Sequence, residues 1–193
     1  FVPSRMAAAI AAAAVLVGGV GAAVGFASMA SPAYATAIGE QRVIRLKDGT
    51  SILLNTDSKI VVHDRADRRS VELVRGEALF TVARGGRPLL IRARDRKLEA
   101  PAGQVAVRIE AQQVDVTVRE GAVAVAGGSA AASVLHAGSI GLYGAAGPRI
   151  RTVGAAEIDR TLAWRQGSIA FQGESLVEAA GEINRYNRTQ IVV

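Results

Sequence analysis

Gln113-Val114-Asp115-Val116-Thr117-Val118-Arg119 alternates apolar and polar residues without a break. In an extended chain successive side chains point to opposite faces, so Val114, Val116 and Val118 share one face while Asp115, Thr117 and Arg119 share the other. The stretch therefore reads as a half-buried strand. Similar short runs flank it, and strands are expected at Arg42–Leu46, Ser51–Asn55, Lys59–His63, Val71–Val74, Ala78–Ala83, Leu89–Ala93, Gln104–Ile109, Val114–Arg119 and Ala122–Ala126. Asp48-Gly49, Gly85-Gly86 and Gly127-Gly128 separate them as turns. Residues 34–153 thus form an all-β domain, with a sandwich, an open barrel and an irregular β-solenoid as the open architectures.

Beyond Ala155 the period changes. Ser175-Leu176-Val177-Glu178 has the form of a capping box, with Ser175 as N-cap and Glu178 reaching back. Leu176, Ala180 and Ile183 then recur at helical spacing up to about Tyr186, with Asn187 as the stop. Ser168–Phe171 before this helix and Gln190–Val193 after it read as strands. Residues 154–193 are accordingly expected to be a linker and the start of a βαβ module, which is not a complete domain by itself.

Upstream of the β pattern, Met6–Ala30 is 25 residues without a charge, long enough to cross a hydrocarbon core of about 30 Å as a helix. Arg5 precedes it, and the next charges are Glu40 and Arg42, so the positive-inside rule puts the N-terminus in the cytoplasm and the remainder outside. Residues 1–33 are read as a single transmembrane helix with its flanks. The rival reading is a cleaved signal peptide, with Ala33-Tyr34-Ala35 as the small-x-small cleavage site. A dinucleotide fold at Val15–Gly25 is rejected, because no βαβ unit with an acidic residue follows the glycines. Gly21 and Gly25 make a GxxxG pair that the Ala/Gly-rich composition explains by itself. Phe1 at the start and Ile191-Val192-Val193 at the end read as the edges of a fragment.

Composition narrows the function. The 193 residues carry a net charge of +6; half are hydrophobic but only 4% aromatic, so apolar bulk comes from Ala, Val, Ile and Leu. Without cysteine there are no disulfides, thiolate metal sites or thiol nucleophiles. His63 and His136, far apart, nominate no metal cluster. No G-x-S-x-G elbow or paired carboxylates suggest catalysis, and no cofactor is expected. Arg84, Arg87, Arg92, Arg94, Arg96 and Lys97 form a basic run, yet Arg92, Arg94 and Arg96 alternate along an apparent strand with no stacking aromatics. They read as a solvated sheet face and not a nucleic-acid surface. The chain reads as a binding and relaying protein, not an enzyme.

Seven stretches in order resemble the FecR family, the sigma-factor regulators of cell-surface signalling. They are Tyr34–Arg42, Leu46–Ser51, Leu54–Ser58, Val71–Val82 with its Arg75-Gly76-Glu77, Val118–Val125, Leu162–Phe171 and Ile183–Tyr186. Asp48-Gly49 suits a tight hairpin, and Gly76 and Gly121 suit bends or close backbone approach. Some FecR-like regulators cleave themselves at a Gly-Thr pair; the matching position here is Gly103-Gln104, whose Gln has no hydroxyl to attack the preceding carbonyl.

The resemblance implies a cytoplasmic anti-sigma domain upstream that binds a sigma factor, one inner-membrane helix, a periplasmic β domain, and a C-terminal module similar to the secretin/TonB short N-terminal domain. It also implies a partner, the signalling domain of a TonB-dependent outer-membrane transporter. Trp164, Ile169, Phe171, Gln190, Ile191 and Val192 are the candidate partner-binding residues, with Gln190–Val193 offering an open strand for main-chain pairing. Trp164 is either an anchor between β domain and βαβ unit or an exposed hot spot. The alternative reading is a secreted or anchored envelope scaffold or glycan-binding module.

Overall fold

The computed structural model describes residues 31–65, 68–128 and 131–193. The apolar segment Met6–Ala30 lies outside them; among the described residues no helix is long and apolar enough to cross a membrane. Ala33–Val193 form one compact unit.

Twelve strands build it: β1 (Ala33–Ala35), β2 (Arg42–Arg45), β3 (Ser51–Leu54), β4 (Lys59–Arg65), β5 (Arg68–Val82), β6 (Leu89–Ala93), β7 (Arg96–Ala100), β8 (Gly103–Glu110), β9 (Gln113–Gly127), β10 (Ser133–His136), β11 (Ser139–Gly144) and β12 (Gly147–Thr152). They lie in two sheets. The first runs β1-β4-β5-β6-β7-β9-β10. The second runs β2-β3-β5-β8-β9-β11-β12. All neighbours are antiparallel except β5 and β6. The architecture is a sandwich whose sheets share two long strands.

The sharing strands bend at glycine. β5 passes between sheets at Gly76 and β9 at Gly121, with φ of +81° and +84°. Gly121 faces Gly103 of β8, and a Cβ on Gly121 would lie 2.4 Å from the Ala102 carbonyl oxygen. Both bends answer the expectation for these glycines. The separate strands expected at Val71–Val74 and Ala78–Ala83 are therefore one strand, as are those at Val114–Arg119 and Ala122–Ala126. Between the sheets lies one apolar core, with Ile52, Leu54, Phe80 and Val116 from the second sheet and Ile60, Leu73, Leu98 and Val125 from the first.

The chain after β12 covers the outer face of the second sheet. It forms α1 (Ala155–Thr161), a 3-10 turn (Ala163–Gln166) and α2 (Leu176–Asn184). Ile158, Leu162 and Trp164 cluster with Leu79, Ala106 and Ile140 of that face. Thr117, expected to face water, is consequently buried. The Ser175 capping box is present in full, with the side chain accepting from the Glu178 N–H and the Glu178 carboxylate accepting from the Ser175 N–H.

Two expectations need correction. Ser168–Phe171 and Gln190–Val193 are not strands, so α2 is not the middle of a βαβ unit here. The ladder groups of Ile191 are taken by a side chain: its N–H donates to Asn184 Oδ1 at 2.7 Å, and its carbonyl accepts from Asn184 Nδ2 at 2.8 Å. The Gln190 amide meanwhile donates to the carbonyls of Asn184 and Asn187 at the end of α2. Nor do Arg92, Arg94 and Arg96 share one strand face. Arg94 sits in the β6–β7 turn with φ +54°, and Arg96 is buried, its guanidinium over the Tyr143 ring at 5.4 Å and donating to the Gly127 carbonyl.

Candidate functional site

Gly76 places the first member of the site. Past the bend, Ala78, Phe80 and Val82 point into the core, so Glu77 projects with Leu79 onto the outer face of the second sheet. A carboxylate is costly to bury unless it is paired and hydrogen-bonded. Glu77, 5% exposed, is both: it accepts from Asn55 Nδ2 at 2.9 Å and from Arg185 Nη2 at 2.8 Å.

Around this pair, residues remote in sequence close a network. Asn55 Nδ2 also donates to the Tyr186 hydroxyl at 2.7 Å, and Asn55 Oδ1 accepts from Gln41 Nε2 at 3.2 Å. Thr56 Oγ1 donates to the Arg185 carbonyl at 3.0 Å and accepts from the Gly39 N–H at 2.8 Å. Gln41 Nε2 further donates to the Trp164 carbonyl at 2.8 Å. Arg185 Nη1 pairs with Glu182 at 2.9 Å, and Glu182 with Arg108 of β8 at 2.7 Å, which in turn holds Glu110. The end of α2 is thereby joined to β5, β8 and the β3–β4 turn through charge and hydrogen bonds.

The electrostatics follow from that geometry. Burial opposes the charged guanidinium of Arg185, but Glu77 and then Glu182 outweigh it and hold its pKa above the ordinary value. Burial would raise the Glu182 carboxyl, yet Arg108 and Arg185 together pull it below its usual range. Tyr186 is pushed up by burial against the Asn55 hydrogen bond. Asp115 is also pushed up by burial, which outweighs the Gln113 amide hydrogen bond at 2.6 Å and the attraction of Arg108, with Glu110 and Glu77 adding to the rise.

Beside the junction opens a cleft of about 520 Å³ between the outer sheet face and the segment 168–182. Ile140 and Leu142 lie on one side, Ile169 and Phe171 on the other, with Glu77 and Asp115 among its polar groups. Among the described residues no three His, Cys, Asp or Glu side chains are grouped to hold a metal.

The expected site residues fall in different places. Trp164 is 5% exposed, so it is not an exposed hot spot; it packs on the outer face of the second sheet, and its indole N–H has no partner among the described residues. Ile169 and Phe171 line the cleft, and Phe171 is 42% exposed. Gln190 caps α2, Ile191 is tied to Asn184, and Val192 is 93% exposed. The junction itself was missed. Its signal lay in polar residues inside the family-like stretches, Asn55, Thr56, Glu77, Arg185 and Tyr186, which converge here from three of the seven pieces.

Comparison with known proteins places this sandwich. The family model described as FecR protein matches residues 33–124. Two crystal structures, each of a candidate anti-sigma factor from Parabacteroides distasonis ATCC 8503, are similar in fold. One superposes with a TM-score of 0.69 at 25% identity, the other with 0.70 at 24%, and each comparison covers 80% of this chain and 74% of the neighbour. No curated protein matches the chain. The part of the chain from residue 33 to residue 124 belongs to the FecR protein family.

Proposed function

We propose that this chain is the envelope portion of a FecR-type regulator of an extracytoplasmic-function sigma factor. Met6–Ala30 holds it in the bacterial inner membrane, with the N-terminus cytoplasmic and the sandwich periplasmic. A sigma factor is contacted from the cytoplasmic side, and the signalling domain of a TonB-dependent outer-membrane transporter from the periplasmic side. The FecR match over residues 33–124 carries this reading. The similarity to candidate anti-sigma factors over 80% of the chain supports it. Apolar side chains exposed after Gly167, Ile169, Phe171, Ile191 and Val192 among them, suit a partner-facing segment. The protein acts by binding, with no catalytic step.

The test is a sigma-dependent reporter in cells expressing the full regulator, induced through the transporter. Deleting Gly167–Val193 is expected to abolish induction and binding of the signalling domain while the sandwich stays folded, because its apolar core draws on no residue beyond Tyr143. A reporter that responds normally without residues 33–193 would overturn the proposal. Unchanged affinity after the shorter deletion would move recognition onto the sandwich.

A further inference from the structure

The way α2 is held differs from the way the rest of the unit is held. Only Ala180 of this nine-residue helix is buried, whereas Leu176 is 76% exposed and Val177 also lies open. One buried alanine contributes little apolar burial, and a helix this short is not stable alone in water. Apart from the Tyr186 ring, which packs against the apolar cluster of Leu79, Ala106 and Trp164, what ties α2 to the sandwich is polar and gathered at its C-terminal end: Glu182 to Arg108, Arg185 to Glu77, the Arg185 carbonyl to Thr56 and the Tyr186 hydroxyl to Asn55. Its N-terminal end is capped from within by Ser175 and Glu178. The connector 168–174 is irregular, Gly167 precedes it and Gly173 lies within it, and a Cβ built on either would have no atom within 4 Å beyond its chain neighbours.

From these contacts we infer that α2 is a detachable strap, hinged across 167–174 and latched on the sandwich by Arg185 and Tyr186 in the Glu77–Asn55–Thr56 socket. Opening is local. Glu77 keeps its Asn55 hydrogen bond when Arg185 leaves, and the adjacent cleft admits water to its carboxylate, so the cost of an orphaned buried charge is reduced. The sandwich core loses no member, because α2 contributes none. The latch residues are also mutually dependent, since Asn55 bridges Glu77 and Tyr186, so the strap leaves as a unit. The exposed Leu176 and Val177 at the far end are where a bound partner would gain leverage. That signalling consequence rests on the regulator reading; the strap itself does not.

Amide hydrogen exchange on the full chain in lipid nanodiscs reads it directly. In the wild type, Ala179–Ile183 are expected to exchange at least about 100-fold faster than Val105–Val107 and Val116–Val118, as sub-global opening does. Glu77→Gln and Tyr186→Phe should each speed α2 exchange a further roughly 5- to 30-fold, the range of losing one or two kcal/mol, and leave β8 and β9 unchanged. Tyr186→Phe removes one hydroxyl and keeps the latch informative where Glu77→Gln does not fold. Exchange of α2 in step with β8 and β9 in the wild type, or equal acceleration of both in either variant, would overturn the strap. A normal strap with a silent sigma reporter would leave it standing and sink the regulator reading instead.

Discussion

Gly76 and Ser58 approach so closely that a Cβ built on Gly76 would lie 2.3 Å from Ser58 Oγ and 2.6 Å from Ser58 Cα. Ser58 cannot retreat, because it is fully buried, its N–H donates to Thr36 Oγ1 at 2.9 Å and its hydroxyl accepts from the Glu77 N–H at 2.9 Å. With φ at +81° as well, Gly76→Ala is expected to cost about 3 kcal/mol or more. The measurement is a lowered urea midpoint with unchanged slope. Ser58→Ala should not rescue it, since Ser58 Cα and the Asp57 carbonyl oxygen would still stand within 2.7 Å.

That bend was legible as a glycine in a strand, but its consequence was not. Period-2 patterning finds strands, and it found the halves of β5 and β9; nothing local says that one strand serves two sheets. β11 hid for a different reason. All six of its residues, Ser139-Ile140-Gly141-Leu142-Tyr143-Gly144, are at least half-buried whichever way they point, because the C-terminal segment covers the outer face and erases the alternation. β12 is exposed almost throughout and has no apolar face to betray it. Gln190–Val193 misled because β-branched residues look like a strand wherever they stand, while the partner for Ile191 was a side-chain amide seven residues away. Glu77 and Arg185 lie 108 positions apart, beyond any local period.

The two shifted carboxyls give opposite pH responses. Glu182 has a folded pKa below its unfolded value, so its contribution is present above the usual glutamate range and is lost as pH falls through the folded value. Asp115 is raised in the folded state, so it favours folding at acid pH and its charged form opposes folding at neutral pH. Asp115→Asn should therefore raise the melting temperature at pH 7 and lose that gain below about pH 4. Glu182→Gln should lower it at pH 7, with the deficit fading in acid. Identical pH profiles for the two variants would contradict these assignments.

Ser175→Ala removes one half of the capping box. Loss of such a cap costs about 1 kcal/mol of helix stability. If α2 is an independently opening element, the loss appears in exchange at Val177–Ala179 and in reduced far-ultraviolet helicity, while the sandwich melts at its wild-type temperature. A matching fall in the sandwich transition would show that α2 and the sheets unfold together.

Trp164 separates volume from hydrogen bonding. Its ring is buried among Leu79, Ala106, Ile140, Ile158 and Leu162, so Trp164→Ala leaves a cavity and should cost about 3–5 kcal/mol. Its indole N–H is buried without a partner among the described residues, a group whose removal recovers a desolvation penalty. The contact that fixes its backbone, Gln41 Nε2 to the Trp164 carbonyl, survives any side-chain change. Trp164→Phe keeps an aromatic ring and discards the unpaired donor, so the expected cost is below about 1.5 kcal/mol. Because Trp164 is the only tryptophan, its blue-shifted fluorescence reports the wild-type transition, and circular dichroism must follow the variants. A Phe variant as unstable as the Ala variant would mean that the indole N–H is satisfied in solution, and that the cover over the second sheet is held by that bond instead of by ring volume.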